Sequence, residues 1–327
     1  MPQFDLPLEL LEQYTPELPE PEGFAAFWRE TVAEARALAT EPVFEPVDAG
    51  FPLLETFDVT FSGFGGHPIR GWLILPRGAE GPLPALVTYI GYGGGRGLLD
   101  EWTGMSAAGY AHLVMDTRGQ GSGHRGGVTA DPVGSGPHVN GFMTQGIESP
   151  ETHFYRRVFT DAVRALDVLR AHPAVDPARV AISGGSQGGG ICLGVAGILG
   201  LLGESASARA AIIDVPFLSH IRHAVRIVET NPYAEITQYL RTHRGAESFV
   251  FDTLSYFDGT SFAPHADIPA MFSVGLLDDI CPPSTVYATY NRYAGPREMR
   301  VYPWNGHEGG GTFQLREHVR FLARELA

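Results

Sequence analysis

The sequence predicts an α/β fold: a mostly parallel, twisted sheet with an N-terminal antiparallel hairpin and helices on both faces. Three observations predict it. Short continuous apolar runs recur at residues 85–90, 111–115, 180–183, 210–213 and 270–274, as strands buried on both faces do. Segments of helical spacing lie between such runs; Phe159, Val163, Leu166 and Leu169 mark the clearest one. Ahead of them, Phe57, Val59 and Phe61 alternate with polar residues, Gly63 to Gly66 form a turn, and residues 69–75 return as a second strand.

Taken in chain order, the elements begin with a helix over 21–39, whose apolar stripe is Phe24, Phe27, Trp28 and Val32. The hairpin and the strand–helix units follow, and the chain closes with a strand at 299–302 and a helix at 313–326. Two stretches break the rhythm. Residues 117–150 are rich in Gly, Pro and His, and residues 216–262 carry a helical pattern without a strand. Insertions after sheet strands build sites over the strand ends. The expected organisation is one domain over 1–327, with an N-terminal helical extension over about 1–45 and an insertion at about 216–262 above the site.

A net charge of -14 argues against nucleic acid as a partner. No basic amphipathic segment suggests a membrane surface, and the most apolar stretch, 191–202, falls short of the roughly 20 residues of a membrane span. It reads as a buried helix. Cys192 and Cys281 give neither a disulfide framework nor a metal-ligand spacing. The opening MPQFDLPLELLEQ lacks a basic stretch followed by an apolar one, so no signal peptide is read and a cytoplasmic location is expected. All 23 basic residues are arginine. A Ser–Lys dyad, a Schiff-base lysine and a phosphate-binding P-loop are therefore excluded, and no metal or organic cofactor is expected.

The chemistry concentrates in VAISGGSQGGG. Gly184-Gly185-Ser186-Gln187-Gly188 matches G-x-S-x-G between a predicted strand and a helix over 188–202, the context of a nucleophile elbow. There the flanking glycines make room for a strained turn that displays the serine hydroxyl. With lysine absent, the base must be a histidine. Among those after Ser186 (His220, His223, His243, His265, His307 and His318), His307 lies in a glycine-rich loop just past the last strand, whereas His318 has the spacing of a surface residue in mid-helix. For the orienting acid, Asp278 and Asp279 follow the 270–274 strand and Asp214 is the rival; the usual acid position favours the later strand, and spacing does not separate Asp278 from Asp279. An oxyanion hole needs two N–H donors. Gln187 supplies one, and the Gly91-Tyr92-Gly93-Gly94-Gly95 loop the other, through Tyr92. A nominal dinucleotide fingerprint, Gly121-Ser122-Gly123-His124-Arg125-Gly126, fails because VTADPVGSGP follows where a helix must open. Arg118-Gly119-Gln120-Gly121 reads instead as a brace for the site loops, with its arginine on a local carboxylate. The residues thus point to a serine acyl hydrolase. A peptidase-like domain or acyltransferase is the near alternative, and a non-catalytic binding protein the remote one.

The segments TYIGYGGGRG, MDTRGQGSG, GGSQGGG, DVPFLSHIRHAV, NPYAEITQYL, VGLLDDICPPSTV and NGHEGGGTFQ, spread over almost the whole chain, resemble the acetyl xylan esterases and cephalosporin C deacetylases of carbohydrate esterase family seven. The resemblance implies an α/β-hydrolase fold and removal of acetyl groups from sugar esters and from cephalosporin C. It implies Ser186 as nucleophile, His307 as base and Asp278 as acid, with Tyr92 and Gln187 as oxyanion donors. It also implies a homohexamer, with the 216–262 insertion at a subunit interface, and an acyl pocket lined by Tyr92 and Pro232. Ser219 and Ile221 depart from the family pattern, where a cysteine and an aromatic are expected, and would alter the pocket lining.

Overall fold

A computed structural model describes residues 3–134 and 139–327. The first two residues of the MPQFDLPLELLEQ segment and the last three of VTADPVGSGP, 135–137, lie outside the described residues. Nine strands form one sheet: β1 (Val43–Pro46), β2 (Leu54–Ser62), β3 (Pro68–Pro76), β4 (Leu83–Tyr89), β5 (Ala111–Met115), β6 (Val175–Gly185), β7 (Ala210–Asp214), β8 (Ala270–Gly275) and β9 (Arg297–Tyr302). Their order is β1-β2-β3-β5-β4-β6-β7-β8-β9. The pairs from β1 to β5 are antiparallel, and all pairs from β5 onward are parallel. The helices are α1 (Leu8–Leu11), α2 (Phe24–Ala37), α3 (Thr103–Ala107), α4 (Phe154–Ala171), α5 (Gln187–Leu202), α6 (Ile221–Ile227), α7 (Tyr233–Thr242), α8 (Glu247–Ser255), α9 (Gly259–Phe262), α10 (Pro283–Arg292) and α11 (Gly311–Glu325).

The continuous apolar runs are explained by burial on both faces. In β7, Ala211 and Ile213 join the core under α2, α4 and α5, while Ala210 and Ile212 join a second cluster with Phe321 and Leu322 of α11. Strand β4 divides likewise, Ala85, Val87 and Tyr89 against Leu86. Helix α5 carries the apolar 191–202 run and is buried nearly all round, as a helix without a polar face must be. Among the described residues, no helix is long and apolar enough to cross a membrane.

Two local differences from the sequence reading appear. The N-terminal extension is not helical up to residue 45, because Val43–Pro46 pairs antiparallel with β2 as the sheet's edge strand. Strand β6 is longer than 180–183, since it begins at Val175 with exposed Pro177 and Ala178 that carry no apolar signal.

Strand order positions the site. From β4 the chain passes to β5 on one side and later to β6 on the other. The loops leaving β4 and β6 therefore diverge at their carboxyl ends and open a crevice there. Tyr92 follows β4 and Ser186 follows β6.

Candidate active site

Ser186 occupies the sharp turn between β6 and α5 with φ 57° and ψ −121°, a strained conformation for a residue with a side chain. The flanking glycines permit it. A Cβ on Gly184 would lie 2.2 Å from the Gly188 backbone, and one on Gly188 would lie 2.2 Å from the Tyr89 carbonyl oxygen. Neither obstacle is a side chain that could move away. Neighbouring backbone fixes the turn: Ser186 N–H donates to Asp214 O at 3.0 Å, and Ser186 O accepts from Phe217 N–H at 2.9 Å.

Ser186, His307 and Asp278 form one hydrogen-bonded line. His307 Nε2 is 2.9 Å from Ser186 Oγ, and His307 Nδ1 is 2.9 Å from Asp278 Oδ2. Asp278 is fully buried, and its Oδ1 accepts from the N–H groups of Ile280 at 2.9 Å and Cys281 at 2.8 Å. The carboxylate cannot rotate without breaking those bonds. Leu277 N–H donates to Asn305 O, which ties the Asp278 loop to the His307 loop. The His307 loop is fastened further by Glu308, which accepts from Gly306 N–H and Asn305 Nδ2.

The two alternative acids stand elsewhere. Asp279 directs its carbonyl oxygen to Thr230 Oγ1 at 2.8 Å. Asp214 accepts from Gln314 Nε2 at 2.7 Å and faces His318. That last contact corrects the sequence reading of His318. Its side chain is only 16% exposed, and Nε2 lies 2.6 Å from Asp214 Oδ2. Burial lowers its pKa, but Asp214 outweighs burial and holds it above the ordinary value. A polar residue at this helical position reads as surface because its partner comes from a distant strand. Of the other histidines, His220 and His223 stack on each other beside Tyr14, His243 stacks on Tyr239, and His265 contacts Glu20.

The N–H of Gln187 is the first of α5, one of those a helix cannot satisfy internally. The Gln187 side chain does something the sequence did not reveal. Its amide and that of Gln120 face each other: Gln120 Nε2 donates to Gln187 Oε1 at 2.8 Å, and Gln187 Nε2 donates to Gln120 Oε1 at 3.2 Å. Gln120 Oε1 also accepts from Gly93 N–H at 2.8 Å, while Gln187 bonds Ile90 O and Tyr155 Oη. This amide pair clamps the loop after β4 to the loop after β6. Arg118, fully buried, anchors the same brace through Asp161 (2.5 and 2.7 Å) and Asp131 (3.3 Å).

Tyr92 and Pro232 both line the cleft, about 870 Å³, into which Ser186 and His307 open. The Tyr92 hydroxyl donates to Glu235 Oε1 and Oε2, each at 2.7 Å, and accepts from Phe142 N–H at 3.0 Å. Burial raises the pKa of Glu235, while the Tyr92 hydroxyl opposes that rise. Glu235 thereby secures the 216–262 segment to the β4 loop, and nothing in its spacing signals a partner so far along the chain. Ser219 and Ile221 do not line this cleft, contrary to the sequence reading; both are buried, and Ser219 N–H bonds the Tyr233 hydroxyl.

Metal-compatible donors also meet here, which sequence spacing did not suggest. Asp278, Cys281 and His307 bring ligand atoms within 4.8 Å of one another. Burial pushes the Cys281 thiol pKa well up, so it stays protonated, and both Asp278 oxygens are already committed. The donor set suits a proton relay better than an ion.

The acetyl xylan esterase (AXE1) family model matches residues 1–325. The chain belongs to the acetyl xylan esterase family. The chain is similar to solved structures: an acetyl xylan esterase from Paenibacillus sp. R4 shares 37% identity and a TM-score of 0.90, covering 98% of this chain and 100% of that one. Acetyl xylan esterase 1 from Thermoanaerobacterium sp. JW/SL YS485 shares 31% identity and a TM-score of 0.88, over 99% and 100% of the two chains. The acetyl esterase Axe7A of Xylanibacter ruminicola is 27% identical over 305 residues, 91% of this chain; the chain spans 65% of that relative's length. Family membership carries the α/β-hydrolase fold, with which the parallel sheet and N-terminal hairpin agree.

Proposed function

We propose that this family member is a serine esterase that removes acetyl groups from acetylated xylo-oligosaccharides and other small acetyl esters, including cephalosporin C. The observation that carries the proposal is the hydrogen-bonded line Ser186–His307–Asp278 opening into a cleft. His307 takes the proton from Ser186 as Oγ attacks the acetyl carbonyl. Asp278, held by two backbone N–H groups, keeps Nδ1 protonated and stabilises the imidazolium. The N–H groups of Tyr92 and Gln187 receive the oxyanion, each donor being worth about 10²-fold or more. His307 protonates the departing alcohol, and water, activated in the same way, releases acetate from the acetyl-serine.

Tyr92, Asn231, Pro232 and Ile280 form the wall against which a short acyl group is placed. The family resemblance extends the proposal to a homohexamer; the sequence pattern extends it to one domain with the 216–262 segment over the site, working in the cytoplasm. Acid quenching during turnover of 4-nitrophenyl acetate, followed by mass spectrometry, tests the mechanism. An acetyl adduct on the Ser186 peptide is expected; an adduct elsewhere, or none during a burst of 4-nitrophenol, would refute it.

A further inference from the structure

The cleft has a side compartment that the proposed chemistry leaves unused. Gly185, Asp214, Leu315 and His318 line both the cleft and an adjoining cavity of about 260 Å³. The cavity's own walls include Trp102, Met105 and Glu101. At its floor, Thr88 Oγ1 bonds His112 Nε2 and Ser183 Oγ, each at 2.8 Å. These floor groups satisfy one another, so the floor is polar but uncharged.

The wall shared by the two spaces is built with care. Tyr302 Oη donates to Gln314 Oε1 at 2.7 Å, and Gln314 Nε2 donates to Asp214 Oδ1 at 2.7 Å. His318 then stands 2.6 Å from Asp214 Oδ2. This last contact falls short of hydrogen-bond geometry, and His318 Nε2 is left buried without a hydrogen-bond partner. A buried pair of ionisable side chains is a poor device for stability alone, since desolvation offsets most of any attraction between them. Phe321 and Leu322 already hold α11 to the sheet by apolar contact. The pair is better explained by something that enters the space beside it.

The chemistry of the walls selects the visitor. Trp102, Met105 and Leu315 offer apolar surface, while Asp214, His318 and Glu101 offer directional donors and acceptors. A ring with apolar C–H faces and a rim of hydroxyls matches both. The volume lies below the range of about 300–1,000 Å³ usual for drug-sized ligands and so suits one ring rather than a chain. We propose that this compartment is the leaving-alcohol subsite, which holds the neutral pyranose ring that carries the acetyl ester, with His318 and Asp214 as specificity-determining residues. The proposal rests on the esterase reading of Ser186: the acyl group lies towards Tyr92 and Pro232, and the sugar towards α11.

The test compares two acetyl esters with different leaving groups: acetylated methyl β-xyloside and 4-nitrophenyl acetate. His318→Gln removes the imidazole, and Met105→Trp fills the side compartment from a wall it does not share with the main cleft. In each variant the ratio of kcat/KM for the xyloside to that for the aryl ester should fall at least tenfold, mainly through KM for the xyloside. A ratio unchanged within twofold would overturn the subsite, because a merely structural role lowers both rates together. Should a variant fail to fold, the unmodified protein gives the answer. Methyl β-xyloside should inhibit aryl ester hydrolysis competitively, and absence of inhibition up to its solubility limit would overturn the subsite. If the unmodified protein hydrolyses neither ester, the esterase reading itself falls; if it hydrolyses the aryl ester and the ratio does not move, only the subsite falls.

Discussion

Replacing Gln120 with leucine removes the clamp between the two loops that carry the proposed oxyanion donors while keeping a side chain of similar size. Gln120 Oε1 accepts from Gly93 N–H and Gln187 Nε2, and its Nε2 donates to Gln187 Oε1. The leucine leaves the buried Gly93 N–H without that acceptor and strips two contacts from the Gln187 amide, which keeps Ile90 O and Tyr155 Oη. An orphaned buried polar group costs about 1–3 kcal/mol, so the expected loss of unfolding free energy is about 2–4 kcal/mol. The catalytic effect is separate. Gly93 adjoins Tyr92, so the freed loop misplaces one oxyanion donor, and losing one such donor lowers kcat by about 10²–10³-fold. Urea unfolding measures the first quantity, and initial rates on 4-nitrophenyl acetate, taken well below the unfolding midpoint, measure the second. A variant that loses stability but keeps kcat within threefold would refute the reasoning, since the amide pair would then hold the fold without aligning the donors.

Other perturbations follow from the same contacts. Arg118→Met leaves buried Asp161 without its guanidinium partner, and breaking a buried pair in this way should cost about 3–5 kcal/mol in urea unfolding. Acid should destabilise the protein through His112 and His153, whose pKa values burial lowers from 6.5 to about 4. The unfolded chain binds protons below about pH 6.5 and the folded one only near pH 4, so stability falls as pH drops through that window, by on the order of 3 kcal/mol per histidine at most. His153→Gln should flatten the dependence of the urea midpoint on pH between 6.5 and 4; an unchanged slope would contradict this assignment. His318 works in the opposite sense. Its raised pKa contributes stability that is complete below about pH 6.5 and is lost as pH rises through the folded value, so His318→Gln should weaken the fall in midpoint on the alkaline side.

What the sequence made legible follows from the range of each interaction. The elbow at Ser186 is local: a strand, a turn with forbidden Cβ positions and a helix fall within one short stretch, so glycine placement alone reveals it. The strands at β4, β5, β7 and β8 were equally readable, because burial on both faces leaves a mostly apolar run, interrupted only by single residues such as Thr88, His112 and Ser273. Edge strand β1 was not readable, since Val43–Pro46 is largely exposed and its strand state comes from pairing with β2. Polar side chains were the hardest to read. Glu235, Gln314 and His318 sit at helical positions indistinguishable from a solvated face, and their roles arise from Tyr92 and Asp214 far away in the chain. Asp278 and Asp279, adjacent and chemically identical, separate only when the turn after β8 directs one carboxylate to His307 and leaves the other residue to bond Thr230 through its backbone.

The most direct test of the central claim is the initial rate on 4-nitrophenyl acetate, butyrate and octanoate, with Ser186→Ala alongside. A serine esterase whose acyl group rests against Tyr92, Pro232 and Ile280 should show a steep fall in kcat/KM from acetate to octanoate, and Ser186→Ala should abolish turnover of all three while remaining folded. A flat or rising profile would contradict the acetyl-sized site, and comparable activity in Ser186→Ala would contradict the nucleophile.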